Sequence, residues 1–111
     1  MIRYIDHDYA VAPQLAPEHM AQAAKVGFRT IINNRPDFED PHQPTAEEME
    51  RAAREAGLHY VHVPVGGHVS TEVSVETLRQ ALEDAPRPVL AFCRSGNRSQ
   101  IVYLATKSGP R

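Results

Sequence analysis

The chain has 111 residues, 41% hydrophobic and 23% charged, with 12 Lys+Arg against 14 Asp+Glu and a formal net charge of −2. That length holds one domain, residues 1–111, with a modest core, and the charge balance argues against a nucleic-acid binder held by a global positive field. No apolar run approaches the ~18 residues of a membrane span, the start MIRYIDHDYAV lacks a signal-peptide pattern, and a single cysteine makes neither a disulfide nor a zinc finger, so a reducing, cytoplasmic location is the default expectation.

In chain order, Ile2–Ile5 and Tyr9–Ala12 are β-prone runs separated by polar Asp6-His7-Asp8, which predicts a hairpin. Pro17–Val26 predicts a helix, with Pro early and Gly27 at its end and with Met20, Ala23, Ala24 and Val26 facing inward. Phe28–Ile32 is a strand by its β-branched residues, and Asn33–Pro44 a loop. Thr45 and Glu48 have the spacing of a capping box, opening a helix that stops at Gly57. Leu58–Val63 predicts a strand and Pro64–Thr71 a loop. Ser74 is expected to cap a helix carrying Val75, Leu78 and Leu82 on one face. Pro88–Phe92 is short and wholly apolar, as the buried centre of a sheet requires, and Ser99–Lys107 reads as a final helix. Strands alternating with helices after a hairpin predict an α/β fold, a mostly parallel central sheet of about five strands with helices on both faces. Ligands then bind beyond the carboxyl ends of the strands, where Cys93 falls.

The segment Phe92-Cys93-Arg94-Ser95-Gly96-Asn97-Arg98-Ser99 carries the chemistry. A buried strand running through a Gly-containing loop into a helix aims loop amides and the helix N-terminus at one point, an anion cradle. Arg98 can return its fork to that point, and Arg94 adds a second charge. A thiol there ionises more easily than a free one, and the thiolate is the nucleophile. Gly96 permits the positive φ a tight loop needs, and Ser99 can cap the helix or hydrogen-bond the sulfur. An inert core cysteine has no reason to precede this run of arginines, glycine and helix start.

The loop CRSGNRS resembles the active-site loop of single-domain rhodaneses. Together with APQLAPEHM, GFRTIINNRPDFED, AGLHYVHVPV and PVLAFCRSGNRS, nearly the whole chain resembles the phosphatase-like domain of beta-lactamase-hydrolase-like proteins. IINNRPD with CRSGNRS is the specific combination. The resemblance implies a fold similar to dual-specificity phosphatases, and either sulfur transfer or phosphatase chemistry. It also implies that some relatives fuse this domain to one resembling persulfide dioxygenases, so a partner protein of that kind is an expectation. Relatives would be expected to continue the last helix past Lys107-Ser108-Gly109-Pro110-Arg111, so the chain also reads as a truncated or split-off domain that a partner could complete.

Four residues separate Cys93 from Arg98; tyrosine phosphatases resemble one another in a longer spacing, whereas rhodanese-type enzymes use the shorter loop. A persulfide adds only one sulfur to the cysteine, so a tighter cradle suffices. The loop Pro64–Glu72, which matches the source of the general acid in phosphatases of this fold, lacks an Asp. The first expectation is therefore a rhodanese-like sulfurtransferase: Cys93 takes a sulfane sulfur from thiosulfate or glutathione persulfide and passes it to a thiol, cyanide or sulfite, with Arg94 and Arg98 orienting the donor. The alternative is phosphate-ester hydrolysis through a phosphocysteine at Cys93, with Arg98 clamping the phosphate and His68 or Asp37 as the acid. Neither reaction implies a cofactor.

The segment Asn33-Asn34-Arg35-Pro36-Asp37 follows a strand and should share the rim with Cys93. Arg35 and Asp37 either contact substrate or pair with each other, while the Asn residues make Asx turns. Ser95, Gly96, Asn97 and Ser99 complete the substrate-binding set with Arg94, Arg35, Asp37 and His68. No metal-ligand spacing occurs among the six histidines.

Overall fold

The computed structural model describes residues 1–108; Gly109-Pro110-Arg111, past which relatives would be expected to continue the last helix, lie outside them. The hairpin is β1 (Arg3–Asp6) and β2 (Tyr9–Ala12), followed by α1 (His19–Lys25), β3 (Thr30–Asn33), α2 (Ala46–Glu55), β4 (His59–His62), α3 (Thr71–Asp84), β5 (Val89–Phe92) and α4 (Asn97–Thr106). The five strands form one sheet in the order β1-β2-β5-β3-β4, parallel except for the β1–β2 hairpin. The apolar run Val89–Phe92 takes the central place, buried on both faces as such a strand must be.

Side-chain alternation along the strands divides the core in two. Ala10, Ile31, Leu90 and Phe92 pack with Met20, Met49 and Ala53 of α1 and α2. Tyr9, Val11, Ile32, Val89 and Ala91 pack with Leu78 of α3 and Val102 and Tyr103 of α4. Helices therefore cover both faces.

Two local expectations are corrected. Helix α3 begins four residues earlier than Ser74: Ser70 is the cap, its hydroxyl accepting from the Val73 amide at 3.2 Å. Ser74 is instead buried and donates to the Pro64 carbonyl at 2.7 Å, tying α3 to the loop after β4. Val26 is 62% exposed, because α1 stops at Lys25 and the chain turns through Gly27 at φ 112°. The Thr45–Glu48 capping box forms in both directions.

The register places the site. Ala12, Phe92, Asn33 and His62 stand in one row at the carboxyl edge. The ladder runs one residue further, with the Cys93 amide reaching Ala12 O at 3.4 Å, Asn34 reaching Phe92 O at 2.8 Å and Val63 reaching Asn33 O at 2.8 Å. The chain ends that leave this row, at Gln14, Arg35, Pro64 and Arg94, make a common rim.

Candidate active site

Cys93 has no exposed surface. The loop after it bends back through Gly96, which holds φ 96° in the left-handed region and is the N-cap of α4. That turn brings the Gly96 amide 3.0 Å from Cys93 Sγ. Burial is the largest single influence on the thiol and opposes ionisation. The amide and hydroxyl of Ser99, with the amides of Gly96 and Ser95, together outweigh it and hold the thiol below its ordinary value. The Ser99 hydroxyl is fully buried and has no other partner among the described residues, so it is a spare donor beside the sulfur. Asn97 and Arg94 turn their side chains to solvent, and their backbones brace the loop: the Asn97 amide donates to Ser95 Oγ at 3.2 Å, and Arg94 O accepts from Gln14 at 3.2 Å.

Arg98 lies in the first turn of α4, and its fork meets Glu39. Nη1 donates to Oε2 at 2.6 Å and Nη2 to Oε1 at 2.9 Å, while Nη1 also reaches Val65 O at 2.9 Å. Of the five guanidinium hydrogens this consumes both on Nη1 and one on Nη2. The Nε and remaining Nη2 hydrogens have no other nitrogen or oxygen partner among the described residues, and are the pair an oxyanion accepts bidentately. The Arg98 bonds hold the Glu39 carboxyl down to about 2, with burial opposing and Arg35 assisting. Glu39 in turn holds the Arg98 guanidinium protonated, and the Cys93 sulfur adds to that.

Sequence reasoning missed Glu39. It left Arg35 and Asp37 either to contact substrate or to pair with each other, and the structure gives each of them other partners. Arg35 is buried and gives Nε to Glu39 Oε1 at 2.9 Å and Nη1 to Gln14 Oε1 at 3.0 Å. Asp37 accepts from the Ala46 amide at 2.8 Å, at the N-terminus of α2. The expected Asx turn is present, Asn33 Oδ1 accepting from the Arg35 amide at 2.9 Å. Arg35 is thus a brace for Glu39, and through it for Arg98.

Beside Arg98 opens a cleft of about 370 Å³ lined by Asp37, Phe38, Glu39, His62, Gly66, Gly67 and His68 among others. Its lining includes His68, which is exposed and makes no hydrogen bond among the described residues. The His62 ring Nε2 lies 2.8 Å from Arg35 O and is engaged there. A Cβ on Gly66 would meet Arg98 Nη1 at 3.3 Å, so the loop carrying His68 passes directly over the arginine.

A thiol in a ring of amides at the carboxyl edge of a parallel sheet, with a guanidinium from the following helix, is the layout of the cysteine-dependent phosphatase folds. The chain belongs to the family described as beta-lactamase hydrolase-like protein, phosphatase-like domain, whose model matches residues 1–109. It is 37% identical over 103 residues to the beta-lactamase hydrolase-like protein of Xylella fastidiosa, covering 93% of this chain but only 24% of that protein. The chain thus spans about a quarter of the length of the curated relatives it matches. The structure of a candidate phosphatase from Neisseria meningitidis superposes with a TM-score of 0.81 at 34% identity, covering 96% of this chain and 78% of that one. Tk-PTP shares the fold, with a TM-score of 0.71 at 21% identity over 95% of this chain and 69% of its own.

These matches overturn the expectation of a rhodanese-like sulfurtransferase: family and fold are phosphatase-like. The expectation rested on the short Cys93–Arg98 spacing and on the lack of an Asp in Pro64–Glu72, and neither discriminates. Four intervening residues still let Arg98 leave a two-hydrogen edge unoccupied. Among the described residues, no helix is long and apolar enough to cross a membrane.

Proposed function

We propose that the chain hydrolyses phosphate monoesters through a phosphocysteine at Cys93. The observation that carries this reading is the free edge of Arg98 beside an acidified thiol: one fixed bidentate donor and one nucleophile, both facing a rim of amides. In the first step Cys93 Sγ attacks phosphorus and the bond to the ester oxygen breaks. His68 gives its proton to that oxygen. In the second step water attacks the phosphocysteine, His68 takes up the proton, the P–S bond breaks, and phosphate and the thiolate are released. The amides of Ser95, Gly96 and Ser99 and the Arg98 fork bear the charge on the equatorial oxygens. Ser99's unpartnered hydroxyl stabilises the departing thiolate.

His68 is preferred to Asp37 as the acid because it makes no hydrogen bond among the described residues and rides on the loop that crosses Arg98, whereas Asp37 serves the N-terminus of α2. Arg94, Asn97 and Ser95 form the outer lip of the cradle.

The test is hydrolysis of p-nitrophenyl phosphate by the reduced protein, with intact mass read on a rapidly quenched sample. Turnover plus a phosphoryl adduct that Cys93→Ser abolishes is the expected result. No release from aryl or alkyl phosphates, and no adduct, overturns the reading.

A further inference from the structure

We propose that Arg3 and Arg94 form a second anion subsite beside the Cys93 loop, so that the site takes compact phosphate monoesters bearing a second anionic group. The inference rests on the phosphate-ester reading above and narrows its substrate class.

The chain is weakly acidic as a whole, at −2, and most of its described cations are neutralised locally. Arg35 and Arg98 share Glu39; Arg51, Arg54 and Arg79 pair along their own helices; Arg87 and Lys107 pair with Asp8 and Asp6. Among the described residues Arg3, Lys25, Arg29 and Arg94 have no carboxylate partner. Lys25 ends α1 and Arg29 precedes β3, its amide bonded to Pro88 O, so these two sit at the amino edge of the sheet. Arg3, on β1, and Arg94, on the Cys93 loop itself, sit at the carboxyl edge.

Arg3 is opposite Val11, one residue before the end of β2, because β1 runs antiparallel. Its Nη1 donates to Gln100 Oε1 at 2.6 Å, a neutral tether from the first turns of α4. Its Nη2 lies 3.4 Å from where a Cβ of Gly96 would stand. Gly96 is the residue whose amide reaches the sulfur. The sheet order places β1 on one side of β5 and the Glu39-bearing β3 loop on the other. Arg98 and Arg3 therefore flank the Cys93 loop from opposite sides. After the Gln100 bond, Arg3 keeps Nε and both hydrogens of Nη2 unspent, and the exposed Arg94 side chain keeps its whole fork. An arginine held by an amide rather than a carboxylate retains its full charge for a ligand. Arg3 Nη2 lies against Gly96 and Arg94 directly follows Cys93, so a second anion held there belongs to a neighbouring substituent of the same small molecule.

The test compares inorganic phosphate and tripolyphosphate by titration calorimetry on the Cys93→Ser protein. The expected result is tripolyphosphate binding more than tenfold tighter than phosphate. On the same background Arg3→Gln should cut that advantage by fivefold or more, and Gln100→Ala, which releases the tether, by a smaller factor. Arg29→Gln, an unpaired arginine at the far edge, should leave the ratio unchanged. Equal losses for Arg3→Gln and Arg29→Gln would mean general charge attraction and overturn the subsite. So would phosphate binding with no tripolyphosphate advantage. Failure of both ligands to bind would sink the phosphate-ester reading itself.

Discussion

Glu39 and Arg98 are 59 residues apart in sequence, yet they meet in a two-point ion pair at 2.6 and 2.9 Å. The pair decides which edge of the guanidinium is spent and which is left without a partner among the described residues. Glu39 is thereby a positioning residue: it touches Arg98 and Arg35. Glu39→Gln keeps the shape but weakens one side of the clamp. The expected outcome is a fall of ~10- to 100-fold in kcat/KM for p-nitrophenyl phosphate, with weaker inhibition by inorganic phosphate. Glu39→Asp should recover part of both. A variant that loses thermal stability while keeping kcat/KM and phosphate inhibition would reduce Glu39 to a structural residue.

The same pair makes stability depend on acid. The Glu39 carboxyl is depressed from 4.5 to about 2, so its contribution is complete above the unfolded value and is lost as pH falls from about 4.5 through about 2. The carboxylate is partly open to water, so screening limits its worth to about 1 kcal/mol. Chemical unfolding of wild type and Glu39→Gln should differ by that much near neutrality and converge towards pH 2. A gap that stays constant down the acid range would mean the ionised carboxylate is not its source.

Cys93 is the chain's single cysteine, so its ionisation can be followed by thiolate ultraviolet absorbance against a Cys93→Ser blank. The amides and the Ser99 hydroxyl outweigh burial, and the midpoint should fall below the ~8.5 of a free thiol. Ser99→Ala should raise it. A midpoint at or above the free value would mean that burial prevails and that the loop does not prepare a nucleophile.

Gly96 has the most exacting backbone position on the loop. At φ 96° a side chain is strained, and a Cβ would stand 3.4 Å from the Ala12 backbone and Arg3 Nη2. Gly96→Ala should cost about 1–2 kcal/mol from the left-handed conformation alone. It should also raise the Cys93 midpoint, because the strained turn carries the amide that reaches the sulfur. Unchanged stability and an unchanged thiol midpoint would show that the turn relaxes freely.

How much was legible follows from the range of each interaction. The centre of the sheet could be read from Val89–Phe92, because a strand covered on both faces has no polar side. The α2 start could be read from Thr45 and Glu48, because a capping box is complete within four residues. The α3 start misled because Ser70 and Ser74 each precede apolar residues, and neither has a Glu or Gln three residues on. Only the Pro64 carbonyl above Ser74 separates cap from core. The cradle at Cys93–Ser99 was readable, being one continuous loop. Glu39 was not, since RPDFED offers three carboxylates and only the packing of β3 against β5 selects the one that meets Arg98. Arg3 was hidden for the same reason, its contact with Gln100 spanning nearly the whole chain.

The acid can be assigned by varying the leaving group. A nitrophenolate departs without help, whereas an alkoxide needs a proton, so removing a general acid harms alkyl esters far more than nitrophenyl esters. His68→Asn should therefore lower kcat for an alkyl phosphate by ~100-fold or more while lowering it much less for p-nitrophenyl phosphate. Asp37→Asn should behave differently. Its carboxylate accepts from the Ala46 amide at the start of α2, so the substitution weakens that helix end and should depress both substrates by the same factor, with a lower melting temperature. If Asp37→Asn gives the leaving-group-dependent loss and His68→Asn does not, the proton comes from Asp37 and the helix contact must open during turnover. Equal losses for both esters in both variants would mean that neither side chain delivers the proton.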